Sequence, residues 1–174
     1  MDNPNPRDTL EIAPAEREDK PLLRNLLELC QHDYSEFSRA DVDRHGLFDY
    51  PYLDHYWTEE GRYAWLFRAG GRVAGFALVR RLGEEDGVAT HSMAEFFILR
   101  AYRRRGLGAA AAVELFERFP GVWRVGQEPE NLPAQRFWRG VIGRYAGGDF
   151  AEVGGDDGPI QTFRSPRPPG EQPG

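Results

Sequence analysis

Arg103-Arg104-Arg105-Gly106-Leu107-Gly108 lies between an apolar run from Met93 to Leu99 that reads as a strand and an alanine-rich run from Ala109 to Phe119 that reads as a helix. A glycine-bearing turn that launches a helix leaves several backbone N–H groups without partners and aims the positive end of the helix dipole at the same place. Such a turn is an anion site. The three arginines add full positive charge, which suits a ligand with several phosphates better than a single carboxylate. The stretch therefore predicts a phosphorylated cofactor. Glycine also serves strand-to-helix turns for conformational reasons alone, so the rest of the chain must decide between the two uses.

Working outward, Gly121 to Gly126 reads as a further strand, Ala134 to Ile142 as a last helix, and Phe150 to Val153 with Ile160 to Phe163 as a closing antiparallel pair. Upstream, Leu10-Glu11-Ile12 reads as a short first strand. Asp19 and Pro21 then open a helix that runs to about Cys30 on Leu22, Leu23, Leu26, Leu27 and Leu29. His32 to Glu60 is mixed in character and is expected to hold a second, shorter helix. Arg62 to Ala69 and Arg72 to Arg80 form a hairpin split by Gly70-Gly71, and a loop from Gly83 to Ala89 leads into the central strand. The helix after the glycine turn buries Leu107, Ala111, Leu115 and Phe119 and turns Glu114, Glu117 and Arg118 outward, while Tyr102 packs the turn. Strands with interspersed helices make an α/β domain with a mixed sheet. The organisation expected is a flexible start at 1–8, a single domain over 9–164, and a disordered Pro/Gly-rich tail at 165–174.

The chain has 174 residues, 40% hydrophobic and 13% aromatic, enough for one substantial core. A net charge of −6 argues against a dedicated nucleic-acid binder. No stretch has the roughly 20 apolar residues of a membrane span, and Met1 to Arg7 is not signal-like, so the expected location is cytoplasmic. Cys30 is the only cysteine, which excludes an intrachain disulfide; its phase with the leucines makes it a buried helix position rather than a nucleophile. His32, His45, His55 and His91 show no ligand spacing, and no metal is expected.

The run of arginine, two residues, glycine, one residue and glycine after a strand, followed downstream by Asn131-Leu132-Pro133-Ala134-Gln135-Arg136-Phe137-Trp138, resembles the cofactor loop and the Asn-x-x-Ala helix opening of the GNAT N-acetyltransferase superfamily. The resemblance covers most of Leu10 to Phe163 and is specific between Glu95 and Trp138. It implies a mixed, mostly antiparallel sheet flanked by helices on both faces, with acetyl-CoA held where two central parallel strands, Met93 to Leu99 and Gly121 to Gly126, splay apart. It assigns cofactor contacts to Phe97, Ile98, Leu99, Arg103, Arg104, Arg105, Gly106, Leu107, Gly108, Ala109, Asn131, Ala134 and Phe137. Asparagine is also a favoured helix cap, which competes with a cofactor role for Asn131. By analogy alone, a homodimer is a further expectation.

Glu95 sits inside the apolar strand, where a carboxylate without company would be expensive. It reads as a base for the substrate ammonium, raised in pKa by burial, with a substrate contact or an arginine partner as alternatives. The position where many members of the superfamily carry a tyrosine that protonates the departing thiolate is here Phe137, so water or Tyr145 would have to serve. Carboxylates and aromatics crowd His32 to Tyr63, among them Tyr34, Tyr50, Tyr56 and Trp57, and suit an amine by charge and cation–π contact; a surface helix with solvated acids fits equally. The function expected is acetyl transfer from acetyl-CoA to a primary amine of a small molecule. Its rivals are acetylation of a protein lysine or N-terminus, and a CoA-binding regulatory protein that has lost transfer.

Overall fold

Two tight turns set the register of the long strands. Gly70-Gly71 (φ +57° and +75°) and Asp86-Gly87 (φ +50° and +73°) each place two successive residues in the left-handed region, as a two-residue hairpin whose twist matches its strands requires. The computed structural model describes residues 9–165. Its strands are β1 (Leu10–Pro14), β2 (Arg62–Ala69), β3 (Arg72–Glu85), β4 (Val88–Ile98), β5 (Gly121–Gly126), β6 (Ala151–Val153) and β7 (Ile160–Ser165), and its helices are α1 (Lys20–Ser38), α2 (His55–Thr58), α3 (Leu107–Arg118) and α4 (Leu132–Tyr145). The strands form one sheet in the order β1-β2-β3-β4-β5-β7-β6. It is the expected mixed, mostly antiparallel sheet, with β4 and β5 as its parallel pair.

Three elements differ from expectation. The loop expected at Gly83 to Ala89 shrinks to Asp86-Gly87, because Gly83, Glu84 and Glu85 extend β3 as solvent-facing strand. α1 runs to Ser38 rather than to about Cys30: beyond the leucines its half-buried positions include Asp33, Tyr34 and Phe37, and the polar Asp33 and amphipathic Tyr34 hide the apolar period. β7 extends through Ser165, whose hydroxyl accepts the Gly121 N–H (2.8 Å) and is buried. The starting segment 1–8 and the rest of the expected tail, 166–174, lie outside the described residues.

Contacts divide the described chain into two compact units, one running to Val79 and including Glu95–Leu107, the other made of Arg80–Ala94 and Gly108 onward. In the first unit β1 pairs antiparallel with β2 from Leu10↔Ala69 to Pro14↔Trp65. α1 buries Leu23, Leu26, Leu27 and Cys30, one stripe at helical spacing. A Cβ on Gly75 would stand 2.1 Å from the Phe97 carbonyl oxygen, so only glycine lets β3 pass this point of β4. In the second unit Phe116 is the hub of an aromatic core, edge-to-face with Trp123 (5.0 Å) and Phe163 (4.8 Å). α3 buries Leu107, Ala111 and Leu115 as its spacing predicts, together with Ala112 and Phe116; Phe119 falls just past its end and is half-buried. Gln127 and Gln161, both buried, exchange amide hydrogen bonds of 2.7 and 3.0 Å and so satisfy each other.

Candidate active site

The arginine–glycine turn is built by backbone conformation. After β4 a single 3₁₀ turn (Arg100–Tyr102) leads to Arg103 in extended conformation, Arg104 in the left-handed region (φ +61°) and Gly106 at φ +78°, and α3 starts at Leu107. The N–H groups of Leu107 to Ala110 then have no acceptor within the helix, and no acidic residue occupies its first turn. A Cβ on Gly106 would meet nothing within 4 Å, so space above it is open. Tyr102 packs against Ala69, Ala74 and Leu107, the turn-packing role expected of it.

The arginines differ from one another. Arg103 donates from Nε to the Ile98 carbonyl (2.7 Å) and from Nη2 to Asp33 Oδ2 (2.5 Å), with its guanidinium 5.4 Å from the centre of the Phe97 ring. Arg100 donates to the other oxygen of Asp33 (2.7 Å). Burial pushes the Asp33 carboxyl up, but hydrogen bonds and charge from the two arginines outweigh it and hold it below the usual carboxylate range. Arg103 is thus a brace that fixes the turn against α1, and like Arg104 and Arg105 it is exposed. Phe97 and Ile98 are buried, and Leu99 donates its N–H to the Ala74 carbonyl (2.8 Å).

Glu95 is half-buried near the end of β4, and its charge acts on Cys30 of α1, Tyr50 of the following loop and Tyr56 of α2. Burial first, and Glu95 second, pushes the Cys30 thiol and the Tyr50 phenol far up. Burial also raises Tyr56, against the opposing influence of Tyr50 and Arg62. All three groups are therefore neutral near pH 7. Tyr34 hydrogen-bonds the Cys30 thiol. The Arg62 guanidinium lies 5.7 Å from the centre of the Tyr56 ring and donates to Glu59 (2.6 Å).

Of the four aromatics expected to meet an acceptor, Tyr50 and Tyr56 come under the influence of Glu95 and Tyr34 joins through Cys30. Trp57 instead spends its indole N–H on the Ala15 carbonyl (3.0 Å), tying α2 to the chain after β1. Many of the segment's acids are structural: Glu28 accepts the Phe48 and Asp49 N–H groups (2.8 and 3.2 Å), Asp43 those of His45 and Leu47 (2.7 and 3.0 Å), and Asp54 pairs with Lys20. The sequence reading counted Asp33 only among the acids of the His32 to Tyr63 segment and did not single out Arg62. Nothing near Asp33 in the chain advertises Arg100 and Arg103 as its partners.

In the second unit, parallel pairing of β4 with β5 covers only Thr90↔Val122, His91↔Trp123 and Ser92↔Arg124. β5 continues through Val125 and Gly126, which pair with β7 alone. The ladder therefore ends with strand still to run, which is the expected splay. Asn131 accepts the Ala134 N–H at Oδ1 (3.1 Å) and caps α4, with Pro133 in the first turn. Ala134 and Phe137 are half-buried, Phe137 edge-to-face with Trp138 at 5.0 Å. Tyr145, at the far end of α4, donates to Glu117 Oε1 (2.6 Å) and packs on Phe116 (5.3 Å). Glu117 is about 13 Å along the axis of α3 from Gly108, so the structure keeps Tyr145 away from the glycine turn. Burial and Glu117 raise its phenol far above the usual tyrosine range. Among the described residues no group of three or more His, Cys, Asp or Glu is placed to hold a metal ion, and no helix is long and apolar enough to cross a membrane.

None of the curated proteins searched matches the sequence. Solved structures share the fold. An acetyltransferase from Thermus thermophilus is 21% identical with a TM-score of 0.63, covering 90% of this chain and 96% of that one. An aminoglycoside acetyltransferase in complex with coenzyme A is 16% identical with a TM-score of 0.62, covering 90% and 95%. The ribosomal-protein-S18-alanine N-acetyltransferase from Escherichia coli is 14% identical with a TM-score of 0.58, covering 90% and 94%. The model of the acetyltransferase (GNAT) family matches residues 23–141, which span the arginine–glycine turn, Glu95 and the capped start of α4, and the chain belongs to that family.

Proposed function

We propose that this protein transfers an acetyl group from acetyl-CoA to a primary amine of a small molecule by direct attack. The observation that carries the reading is the turn into α3, where open space above Gly106, the free N–H groups at the helix start and two exposed arginines converge. Polyphosphate is the ligand such a turn suits, and one of the fold's neighbours was solved with coenzyme A. Bound acetyl-CoA supplies the thioester. Backbone N–H groups from Arg104 to Ala109 hold its pyrophosphate, and Arg104 and Arg105 neutralise it. Arg103 contributes by holding the turn in shape through Asp33 and Ile98. The backbone of Phe97 to Leu99 and the first turn of α4, with Asn131, Ala134 and Phe137, complete the cofactor contacts.

Glu95 takes the proton that an acceptor ammonium must lose before its nitrogen lone pair can attack. The nitrogen forms its bond to the carbonyl carbon, the carbon–sulfur bond breaks with its electron pair on sulfur, and the second proton the nitrogen must lose passes to the departing thiolate, which leaves as the free thiol. An alkyl thiol has a pKa near about 8.5, so the thiolate leaves near neutral pH without a protein acid. This fits Phe137, which has no proton to give, and Tyr145, whose hydroxyl is engaged by Glu117.

The test combines calorimetric binding of acetyl-CoA with a free-thiol release assay across amines and peptides. Binding in the micromolar range with release that depends on a small amine is the expected result. Release with peptides alone would move the acceptor to protein, and absence of acetyl-CoA binding would overturn the reading.

A further inference from the structure

Gln127 and Gln161 bring more polar chemistry into the second unit than packing asks of them. Both are buried, on a face of the sheet otherwise given to Trp123, Val125 and Phe163. Apolar side chains of the same length would fill this space without taking two amides out of water. The amides instead belong to one line of hydrogen bonds that begins at the surface. Arg139 of α4 donates from Nε and Nη2 to the two oxygens of Glu152 on β6 (2.8 and 2.7 Å), and Glu152 Oε2 accepts from Gln161 Nε2 (2.7 Å). Gln161 Nε2 gives its other hydrogen to Gln127 Oε1 (3.0 Å), while Gln127 Nε2 donates to Gln161 Oε1 (2.7 Å) and to the Val125 carbonyl (3.0 Å). The line has a direction. A carboxylate only accepts, so Glu152 fixes which end of the Gln161 amide faces it; Gln161 then fixes Gln127, and Gln127 is left to donate to β5.

The inner end of the line meets β5 where β5 leaves the parallel ladder. The Gln127 N–H goes to the Pro159 carbonyl (3.0 Å), so Gln127 and Val125 direct their backbone groups at β7, and Gly126 between them directs its own the opposite way. On that side the ladder with β4 has already ended, at Ser92↔Arg124. Immediately after Gln127 the chain turns into α4, with the Glu128 and Pro129 carbonyls both taken by Gln135 Nε2 (3.0 and 2.9 Å). The turn closes at Asn131, whose Oδ1 is committed to the cap of α4, so that its amide N–H groups are the donors it has left. We propose, resting on the acetyltransferase reading above, that Glu152 is a positioning residue for cofactor binding: through Gln161 and Gln127 it fixes the direction of the Val125–Gly126 peptide and the placement of Asn131, and with them the backbone that receives the acetyl-CoA arm. Glu152 itself touches no cofactor. A wall held in its bound shape beforehand spares the ligand the cost of ordering it.

The experiment measures acetyl-CoA binding by calorimetry, Tm by thermal melt and steady-state constants by thiol release. It compares wild type with Glu152→Gln, Glu152→Lys and a double variant, Gln127→Met with Gln161→Met. Methionine matches glutamine in length, and removing both amides together strands neither, so Tm of the double variant stays within a few degrees of wild type. Its Kd for acetyl-CoA is expected to rise about tenfold, with kcat at saturation and the KM for the amine held. Glu152→Lys offers donors where Gln161 needs an acceptor and should raise Kd likewise, whereas Glu152→Gln keeps an acceptor oxygen and should stay within about twofold. Wild-type affinity in both the double variant and Glu152→Lys overturns the inference and leaves the acetyltransferase reading intact. Glu152→Gln as weak as Glu152→Lys also overturns it, because charge rather than hydrogen-bond direction would then be what matters. If the double variant fails to fold, the two Glu152 variants decide between these outcomes. A wild type that binds no acetyl-CoA sinks the reading and the inference with it.

Discussion

Asp33 and Glu95 belong to the same compact unit and act on the same buried thiol, Cys30, yet their surroundings have opposite chemistry. Asp33 receives two guanidinium groups, one on each oxygen, and its carboxyl is held low. It is committed to charge and unsuited to carrying a proton near neutral pH. Glu95 acts on two phenols and a thiol that stay neutral. The contrast teaches that position on α1 or β4 does not decide a carboxylate's task; the charge of its neighbours does. Asp33 braces the turn before α3, and in the proposed function Glu95 takes the proton.

The largest effect that would break this division is on turnover. Glu95→Gln is expected to lower kcat by about 10²–10³-fold, the range of a lost general base, with acetyl-CoA affinity within about twofold of wild type. Unchanged kcat on a working acceptor would remove Glu95 from the chemistry. Gly106→Asp comes next: at φ +78° any side chain is strained, and a carboxylate there faces the expected phosphates. Acetyl-CoA binding should weaken by about 100-fold or more in calorimetry, and undiminished affinity would end the anion-site assignment. Asp33→Asn sharpens the comparison from the other side. It loosens Arg100 and Arg103 without touching the proposed base, so the Kd for acetyl-CoA should rise about tenfold while kcat at saturation holds. A fall in kcat as large as that of Glu95→Gln would merge the two carboxylates into one role.

How far the sequence foretold this depends on distance along the chain. The turn from Arg103 to Gly108 and the cap at Asn131 were readable because each is made of neighbours: a left-handed glycine, a helix start, an amide three residues before the N–H it accepts. The Glu95 reading also rested on local contrast, one acid in an apolar strand. What was hidden is pairing across the fold. Arg103 reads as a phosphate ligand until Asp33, 70 residues earlier, is seen to take one of its nitrogens. Trp57 reads as an aromatic wall until its N–H is found on Ala15, 42 residues away. The hairpin at Asp86-Gly87 was a miss of another kind, since Asp-Gly is a strong local turn signal; the polar run Gly83-Glu84-Glu85 masked it by looking like loop.

His91 supplies a pH signature of the second unit. It is 5% exposed, its Nδ1 has no hydrogen-bond partner, and its ring lies against Phe119 (5.4 Å) and Trp123 (5.6 Å). Burial lowers its pKa below the ordinary 6.5, helped by the charge of Arg81 and opposed by a hydrogen bond to the Pro120 carbonyl. The folded state therefore binds fewer protons than the unfolded chain as pH falls below 6.5, and stability declines in that direction until both states are protonated. Above 6.5 the contribution is flat. Thermal melts from about pH 7.5 to about pH 5 should show a falling Tm in wild type and a shallower slope in His91→Phe; identical slopes would mean that His91 titrates alike in both states.

The smallest expected effect lies at Tyr145, and its smallness is informative. The phenol is joined to Glu117 near the C-terminal end of α3, while the anion turn is at the other end of that helix. A proton donor for the leaving thiolate would have to be within hydrogen-bond reach of sulfur, and here the phenol's proton is already directed at a carboxylate. Removing it costs one partly exposed hydrogen bond, about 1 kcal/mol of stability, and leaves the ring packed on Phe116. Tyr145→Phe should thus lower Tm by a few degrees and change kcat by less than about twofold. A tenfold fall in kcat, together with loss of the alkaline limb of the pH–rate profile, would make Tyr145 the acid after all. It would then require α4 to carry its C-terminal end into the chemistry, and the contrast between the two unit-one carboxylates would no longer account for the whole reaction.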